Sequence, residues 1–259
     1  MKTAATPSLA FALLLLGTTL GLAGTDLVLP AVPELPNELG GSAAMAQLVL
    51  AAFVAGGCVG LILFGELGAR IDQRRLLVGS LIAYALVSLA CALAPSLPAL
   101  VGLRFLHGLS GAAAAVFAPG MIRAMFSQAG AVRALGVMGS VESLVPALAP
   151  VAGVGLLAAF GWASSFYVIA ALSLIVALLV RRLGSSLPAP PPTRDQGSYI
   201  RLLKNATYMR YALSQACTLG GLLIFVFGAP AMMTKALGLS LNAFIIMQVT
   251  GIAFFILAS

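Results

Sequence analysis

Charge is what this 259-residue chain has least of: 14 Lys and Arg with 7 Asp and Glu make up 8% of it. Soluble domains are about a quarter charged and about half apolar, whereas this chain is 61% apolar with a mean hydropathy of +1.09. A water-soluble fold of this length has no interior large enough to hide so much apolar surface. Histidine occurs once, which removes any His-based metal centre and denies a hydrolytic site its second base. Cysteine occurs three times, as Cys58, Cys91 and Cys217, each within an apolar stretch. That excludes a disulfide framework and reads as buried thiols. No cluster has metal-ligand spacing, so an integral-membrane enzyme has neither a metal set nor a nucleophile–base pair to work with.

What the chain has in quantity is long apolar runs. Windows of about 20 residues with few or no charges recur, the length a helix needs to cross a bilayer core. Eight candidate spans follow: Leu9–Leu29, Ala46–Gly65, Leu76–Ala94, Leu97–Met121, Ala134–Phe160, Trp162–Val180, Tyr211–Met233 and Leu241–Ser259. The fold class is an all-α, polytopic membrane protein, and its first partner is the lipid bilayer. Lys2 followed by the apolar run Leu9–Leu22 and Ala23-Gly24 also fits a cleaved secretory leader. The apolar continuation to Val32 and the many later spans favour a retained first helix.

A net charge of +7 invites a nucleic-acid partner, but the placement of the charges excludes one. Lys2, Arg70, Arg74, Arg75, Arg123, Arg133, Arg181, Arg182, Arg194, Arg201, Lys204 and Arg210 all fall on one side of the spans. The other side carries Lys235 with Glu34 and Glu38. Positive loops stay in the cytoplasm, so the basic excess is a topology signal with the N-terminus inside. The expected location is a bacterial inner membrane.

Six spans precede GSSLPAPPPTRDQGS, Gly184–Ser198, whose Pro, Ser and Gly cannot continue a helix. The organisation read from this is a six-helix bundle over 1–183, a cytoplasmic linker over 184–210 and a partial second bundle over 211–259. Within the linker, YIRLLKNATYMR is either a short helix on the inner membrane surface or a plain basic flank. The last residues, GIAFFILAS, have no polar tail, and a span ending so reads as interrupted.

Ionisable groups inside spans cost a few kcal/mol or more at the bilayer centre, so each is a functional candidate. They are Asp26, Arg104, His107 and Glu142. Counting helical rise puts Asp26 about 25 Å above the inner face, Arg104 about 20 Å and Glu142 about 12 Å, with His107 one turn below Arg104. The depths suggest a descending ladder, Asp26 near Arg104 and His107 near Glu142. An arginine holds its charge and can keep a neighbouring carboxylate ionised or be released when that carboxylate protonates. The blander alternatives are a solvated Asp26 at the outer interface and a His107 that is a satisfied polar group rather than a proton carrier. In the fifth span Gly136, Gly139, Pro146, Pro150, Gly153 and Gly155 fit tight helix packing, a bend beside a cavity, or both. Gly56 and Gly60 are a small-xxx-small face.

These stretches together resemble one family. TDLVLPAVPELPNELGGSAAMAQLVLAAFVAGG, GELGARIDQRRLL, ALVGLRFLHGLSGAAAA and SVESLVPALAPVAGVGLLAAFGW, in that order, are similar to the major facilitator superfamily and most like its Bcr/CflA branch of drug/proton antiporters. The resemblance implies a twelve-helix exporter of two six-helix bundles around a cavity open alternately to each side. This chain would supply the N-terminal bundle and the first two helices of the other. The family's loop signature between spans two and three is Gly-x-Leu-Ala-Asp-Arg-x-Gly-Arg-Arg. Gly65, Leu67, Arg70 and Arg74 fit it, with Arg75 following, while Gly68, Ala69, Asp72 and Gln73 depart from it. The missing acid, at Ala69, is the one that helps latch the cytoplasmic side. Asp72 is its candidate substitute, and loss of the latch is the other reading.

By the same resemblance, Arg104 with Gly108 matches the fourth-span Arg-x-x-x-Gly motif associated with proton coupling. Pro146, Pro150 and Gly153 match a loose antiporter motif, Asp26 the first-span acid, and Gln47 a polar position lining the cavity. Glu142 rests on the depth argument alone. The expected function is proton-coupled efflux of small lipophilic drugs or metabolites, working as a monomer, with the proton gradient as energy source and no cofactor. The alternative is a divergent remnant without transport activity. By the family's layout four helices of the second bundle lie outside the chain, and as given it is not expected to rock two bundles.

Overall fold

Three side chains show how polar residues start the helices of this apolar chain. Ser42 Oγ accepts from the Met45 amide at 3.2 Å, Ser127 Oγ from Gly130 at 3.3 Å, and Asp72 Oδ1 from Arg74 at 2.8 Å and Arg75 at 3.4 Å. Each satisfies amides that a helix start leaves without partners. A computed structural model of the chain describes residues 7–183, 187–188, 199–233 and 237–240, with scattered positions 243, 246–247, 249–251 and 254.

Every regular element among the described residues is a helix. In order come α1 (Pro7–Asp26), a 3₁₀ turn (Leu29–Ala31), α2 (Leu35–Leu39), α3 (Ala43–Arg70), α4 (Gln73–Ala92), α5 (Leu97–Gly111), α6 (Ala113–Met125), α7 (Gln128–Phe160), α8 (Ser164–Leu183), α9 (Tyr199–Leu203) and α10 (Ala206–Ala231). Among the described residues six stretches are long and apolar enough to cross a membrane: Ser8–Ala31, Ala43–Arg70, Gln73–Ala92, Leu97–Met125, Gln128–Phe160 and Ser164–Leu183. They answer to the first six expected spans. Most run past the apolar windows, because capping residues let the helices extend into polar sequence. The fourth is divided at Ala112 into α5 and α6.

The chain forms two compact units, Met1–Pro192 and Thr193–Ser259. In the second unit, α9 takes up the start of the basic segment and α10 begins at Ala206, five residues before the expected seventh span. The segment YIRLLKNATYMR thus holds a short helix, α9, in its first half. Its second half is the first turn of a long helix. The expected eighth span, Leu241–Ser259, lies outside the described residues apart from scattered positions.

In the first unit the helices meet where side chains are smallest, as lipid demands: apolar burial alone does not drive helix association there, and close packing does. A Cβ on Gly56 of α3 would run into the Phe105 carbonyl of α5, and one on Gly60 into the Leu109 carbonyl. Reciprocally, a Cβ on Gly108 of α5 would meet the Phe53 carbonyl of α3. α4 and α8 are tied by Ser88 Oγ donating to the Phe166 carbonyl at 2.8 Å. α7 meets the end of α1 through Gly153, whose missing Cβ leaves room for the Leu27 carbonyl and the Pro30 ring. An apolar core of Leu13, Leu14, Phe64, Leu77, Phe117 and Met121 fills another part of the bundle.

Two expectations are corrected. Tight packing explains Gly56, Gly60 and Gly153, whereas at Gly136, Gly139 and Gly155 a Cβ would meet nothing among the described residues. All three are exposed on α7. Of the three thiols only Cys91 is buried; Cys58 and Cys217 are exposed.

Candidate functional site

α5 carries two polar side chains inside the bundle, one helical turn apart. Arg104 and His107 are both fully enclosed, at 0% exposure. A buried guanidinium must have its donors met, and Arg104 uses backbone to meet them. Its Nε donates to the Val49 carbonyl of α3 at 3.2 Å and its Nη1 to the Gly24 carbonyl of α1 at 2.9 Å. Nη1 also lies 3.0 Å from His107 Nδ1. Phe53 lies under the guanidinium, 4.2 Å from its centre, and Phe166 at 5.7 Å, so two ring faces stabilise the cation. Arg104 Nη2 and His107 Nε2 have no hydrogen-bond partner among the described residues.

The cage around this pair comes from four other helices. The His107 ring stacks on Tyr84 of α4, centroids 4.1 Å apart and planes 16° apart, with Phe53 edge-on at 5.5 Å. Tyr84 Oη in turn donates to the Leu20 carbonyl of α1 at 3.1 Å. Gly24 and Gly111 are glycine because this ring and Phe53 occupy the space their Cβ atoms would need. Gly108, one residue beyond His107, is required by the close α3–α5 contact rather than by any polar task.

The expected ladder does not form. The lone ion pair among the described residues is Arg70–Glu66, exposed and one turn apart on α3. Asp26, the last residue of α1, is 9% exposed and takes no hydrogen bond or ion pair among the described residues. Arg104 instead binds the carbonyl two residues before it. His107 faces Arg104 and Tyr84, not Glu142. The reason is helix neighbourhood: α5 packs on α3 and α4, whereas α7 packs on α1 and α6. Glu142 is half-buried on α7, beside exposed Gly139 and Ser140. Pro146 is half-buried on the same helix, Pro150 and Gly153 are buried in it, and Gln47 is exposed near the start of α3.

At the loop after α3, Gly65 and Leu67 belong to α3, and Arg70 closes it on Glu66. Gly68 packs against the Phe117 ring, which explains a glycine there. Asp72 is the N-cap of α4; its carboxylate holds Arg74 and Arg75 by their amides rather than by their side chains.

Sequence reasoning found Arg104 and His107 but missed Phe53, Tyr84 and Phe166. A signal for Tyr84 was present. Ser80, Tyr84, Ser88 and Cys91 recur every three or four residues and are all buried, a polar stripe marking the inward face of an otherwise apolar helix.

Residues 14–259 match the model of the Major Facilitator Superfamily. The chain belongs to that superfamily. Members are transporters rather than enzymes, and the chain is a multi-pass membrane protein of this class. It is 30% identical to an uncharacterized MFS-type transporter, YdgK, of Bacillus subtilis, over 90% of this chain and 60% of YdgK. It is 29% identical to a chloramphenicol resistance protein of Pseudomonas aeruginosa, over 88% of this chain and 55% of the other. To the multidrug resistance protein MdtL of Salmonella it is 24% identical, over 84% and 56%. The chain thus spans a little over half the length of these relatives. Among solved structures, a bacterial homologue of the lysosomal transporter Spinster, inward-facing and occupied, aligns with a TM-score of 0.70 at 17% identity, over 92% of this chain and 57% of the other. A D-xylose–proton symporter aligns with a TM-score of 0.63 at 16% identity, over 97% and 67%. These two likenesses establish the major facilitator fold alone.

Proposed function

We propose that the protein exports small lipophilic drugs or metabolites by proton-coupled antiport across a bacterial inner membrane, with its N-terminus in the cytoplasm. The observation that carries this reading is Arg104: a cation enclosed in the first bundle with no carboxylate in ion-pair range among the described residues. Its charge is spread over two backbone carbonyls, an imidazole and two aromatic faces. The α1 carboxylate two residues beyond one of those carbonyls, Asp26, is buried and has no ion-pair partner among the described residues. A cation and a carboxylate held apart in one bundle suit a cycle in which the carboxylate takes a proton in one state and faces the cation in the other. Glu142, half-buried on α7, is the second proton-site candidate. The apolar character of the bundle suits lipophilic cargo, and two of the relatives bear names that speak of drug resistance.

The test is resistance in an exporter-deficient bacterium expressing the complete gene product. Resistance to chloramphenicol and lipophilic dyes is expected to fall to the host level with Asp26→Asn or Arg104→Gln, and to collapse when an ionophore dissipates the proton gradient. Resistance that survives the ionophore removes proton coupling. Unchanged resistance with Asp26→Asn removes that residue from it.

A second reading, a divergent chain without transport activity, is favoured by the loop after α3. Ala69 stands where the resembling family has its acid, and Asp72 is occupied in capping α4. No resistance above background from the wild-type gene would select it.

A further inference from the structure

The contact between Arg104 and His107 fixes the state of the histidine. Both side chains are at 0% exposure, and Nη1 lies 3.0 Å from Nδ1. A guanidinium has donors only, so Nδ1 must be the acceptor and carry a free lone pair. An imidazole with one free nitrogen is neutral and has its proton on the other, Nε2. The surroundings agree: the ring lies flat on Tyr84 and edge-on to Phe53, and no carboxylate reaches it among the described residues. The guanidinium has two fixed carbonyl acceptors on α1 and α3, and the Nδ1 lone pair is the third, from its own helix.

We propose that His107 is a positioning residue for Arg104. It is a neutral, Nε2-protonated imidazole whose Nδ1 holds the guanidinium Nη1 against the Gly24 carbonyl of α1. In this state it is not a proton carrier, because a proton on Nδ1 would remove the acceptor and set two cations in contact. The α5 arginine is thereby tied to the end of α1, the segment that carries Asp26.

His107 is the sole histidine of the chain, so labelling the 259-residue protein with ¹⁵N-histidine gives one imidazole to read. Near neutral pH the nitrogen spectrum is expected to show a bare, hydrogen-bonded Nδ1 and a protonated Nε2. A protonated Nδ1, or two protonated nitrogens, overturns the proposal. Arg104→Lys is expected to shift the Nδ1 resonance while leaving the ring buried, and an unmoved resonance also overturns it.

A second arm rests on the transport reading above. His107→Asn places Oδ1 where Nδ1 stood, and is expected to keep export within about threefold of wild type. His107→Leu offers no acceptor and is expected to lose about tenfold to a hundredfold, the range of a hydrogen bond to a charged group. Equal export by the two variants, when both reach the membrane in wild-type amounts, overturns the positioning role. If the protein exports nothing, the spectrum still decides the histidine's state, so failure of the function and failure of this proposal are separable.

Discussion

α5 and α7 both carry ionisable side chains inside apolar spans, yet they hold them in opposite ways. On α5, Arg104 and His107 are sealed by rings and carbonyls from four other helices, and Gly24, Gly56, Gly108 and Gly111 around them are each forced by a neighbour. On α7, Glu142 is half-open, and Gly136, Gly139 and Gly155 face nothing. A glycine in a membrane helix thus has two distinct meanings within one chain. At Gly56, Gly60 and Gly108, and at Gly153 of α7, it is a packing requirement. At Gly136, Gly139 and Gly155 of α7 a Cβ would meet nothing among the described residues. The sealed site suits a fixed charge, and the open one suits a group that exchanges with its surroundings.

The largest effect should come from breaking the sealed side. Gly108→Val forces a branched side chain into the Phe53 carbonyl, and should cost about 3 kcal/mol of stability, the upper end for overpacking a tight core. Thermal unfolding in detergent, or loss of folded protein from the membrane, reads it. Gly136→Ala and Gly139→Ala on α7 should instead be neutral or stabilising by up to about 1 kcal/mol, the helix-propensity gain. Equal destabilisation at both helices would erase the contrast.

Charge removal sharpens the same comparison. Arg104→Gln strips the Val49 and Gly24 carbonyls of their charged donor, and relief of a buried charge offsets only part of that. A loss of about 2 kcal/mol is expected. Glu142→Gln removes no hydrogen bond or ion pair described in the structure and should stay within about 0.5 kcal/mol. Between these falls Tyr84→Phe, which removes the bond to the Leu20 carbonyl but keeps the stack on His107. About 1 kcal/mol is expected. The melts that measure Gly108→Val measure all three.

How far the sequence revealed this site depended on which physical signal each residue carries. The first six spans were legible because hydropathy is a property of one helix in one solvent. Arg104 and His107 were legible because a charge in such a span is costly wherever the helix sits. Their partners were not, since contact depends on which helices adjoin. Depth placed Asp26 beside Arg104 and Glu142 beside His107, but α5 faces α3 and α4. Backbone acceptors such as Gly24 and Val49 carry no mark in any sequence. Phe53 and Phe166 look like lipid-facing residues until the cation between them is seen.

The smallest effects lie in the loop after α3, where they separate two roles for one residue. Asp72 caps α4 through the Arg74 and Arg75 amides, so Asp72→Ala should cost about 1 kcal/mol. Asp72→Ser can still accept from those amides, and should restore most of that loss. The neighbouring Glu66–Arg70 pair is exposed, and Glu66→Gln should change stability by less than about 0.5 kcal/mol. If Asp72 also served as the cytoplasmic latch in place of the acid absent at Ala69, its negative charge would matter beyond the cap. Asp72→Ser would then restore stability without restoring export. A carboxylate already committed to two backbone amides has little reach left for a partner across the membrane face. Stability and export are therefore expected to recover together in Asp72→Ser, read by melting and by drug resistance of the same variant.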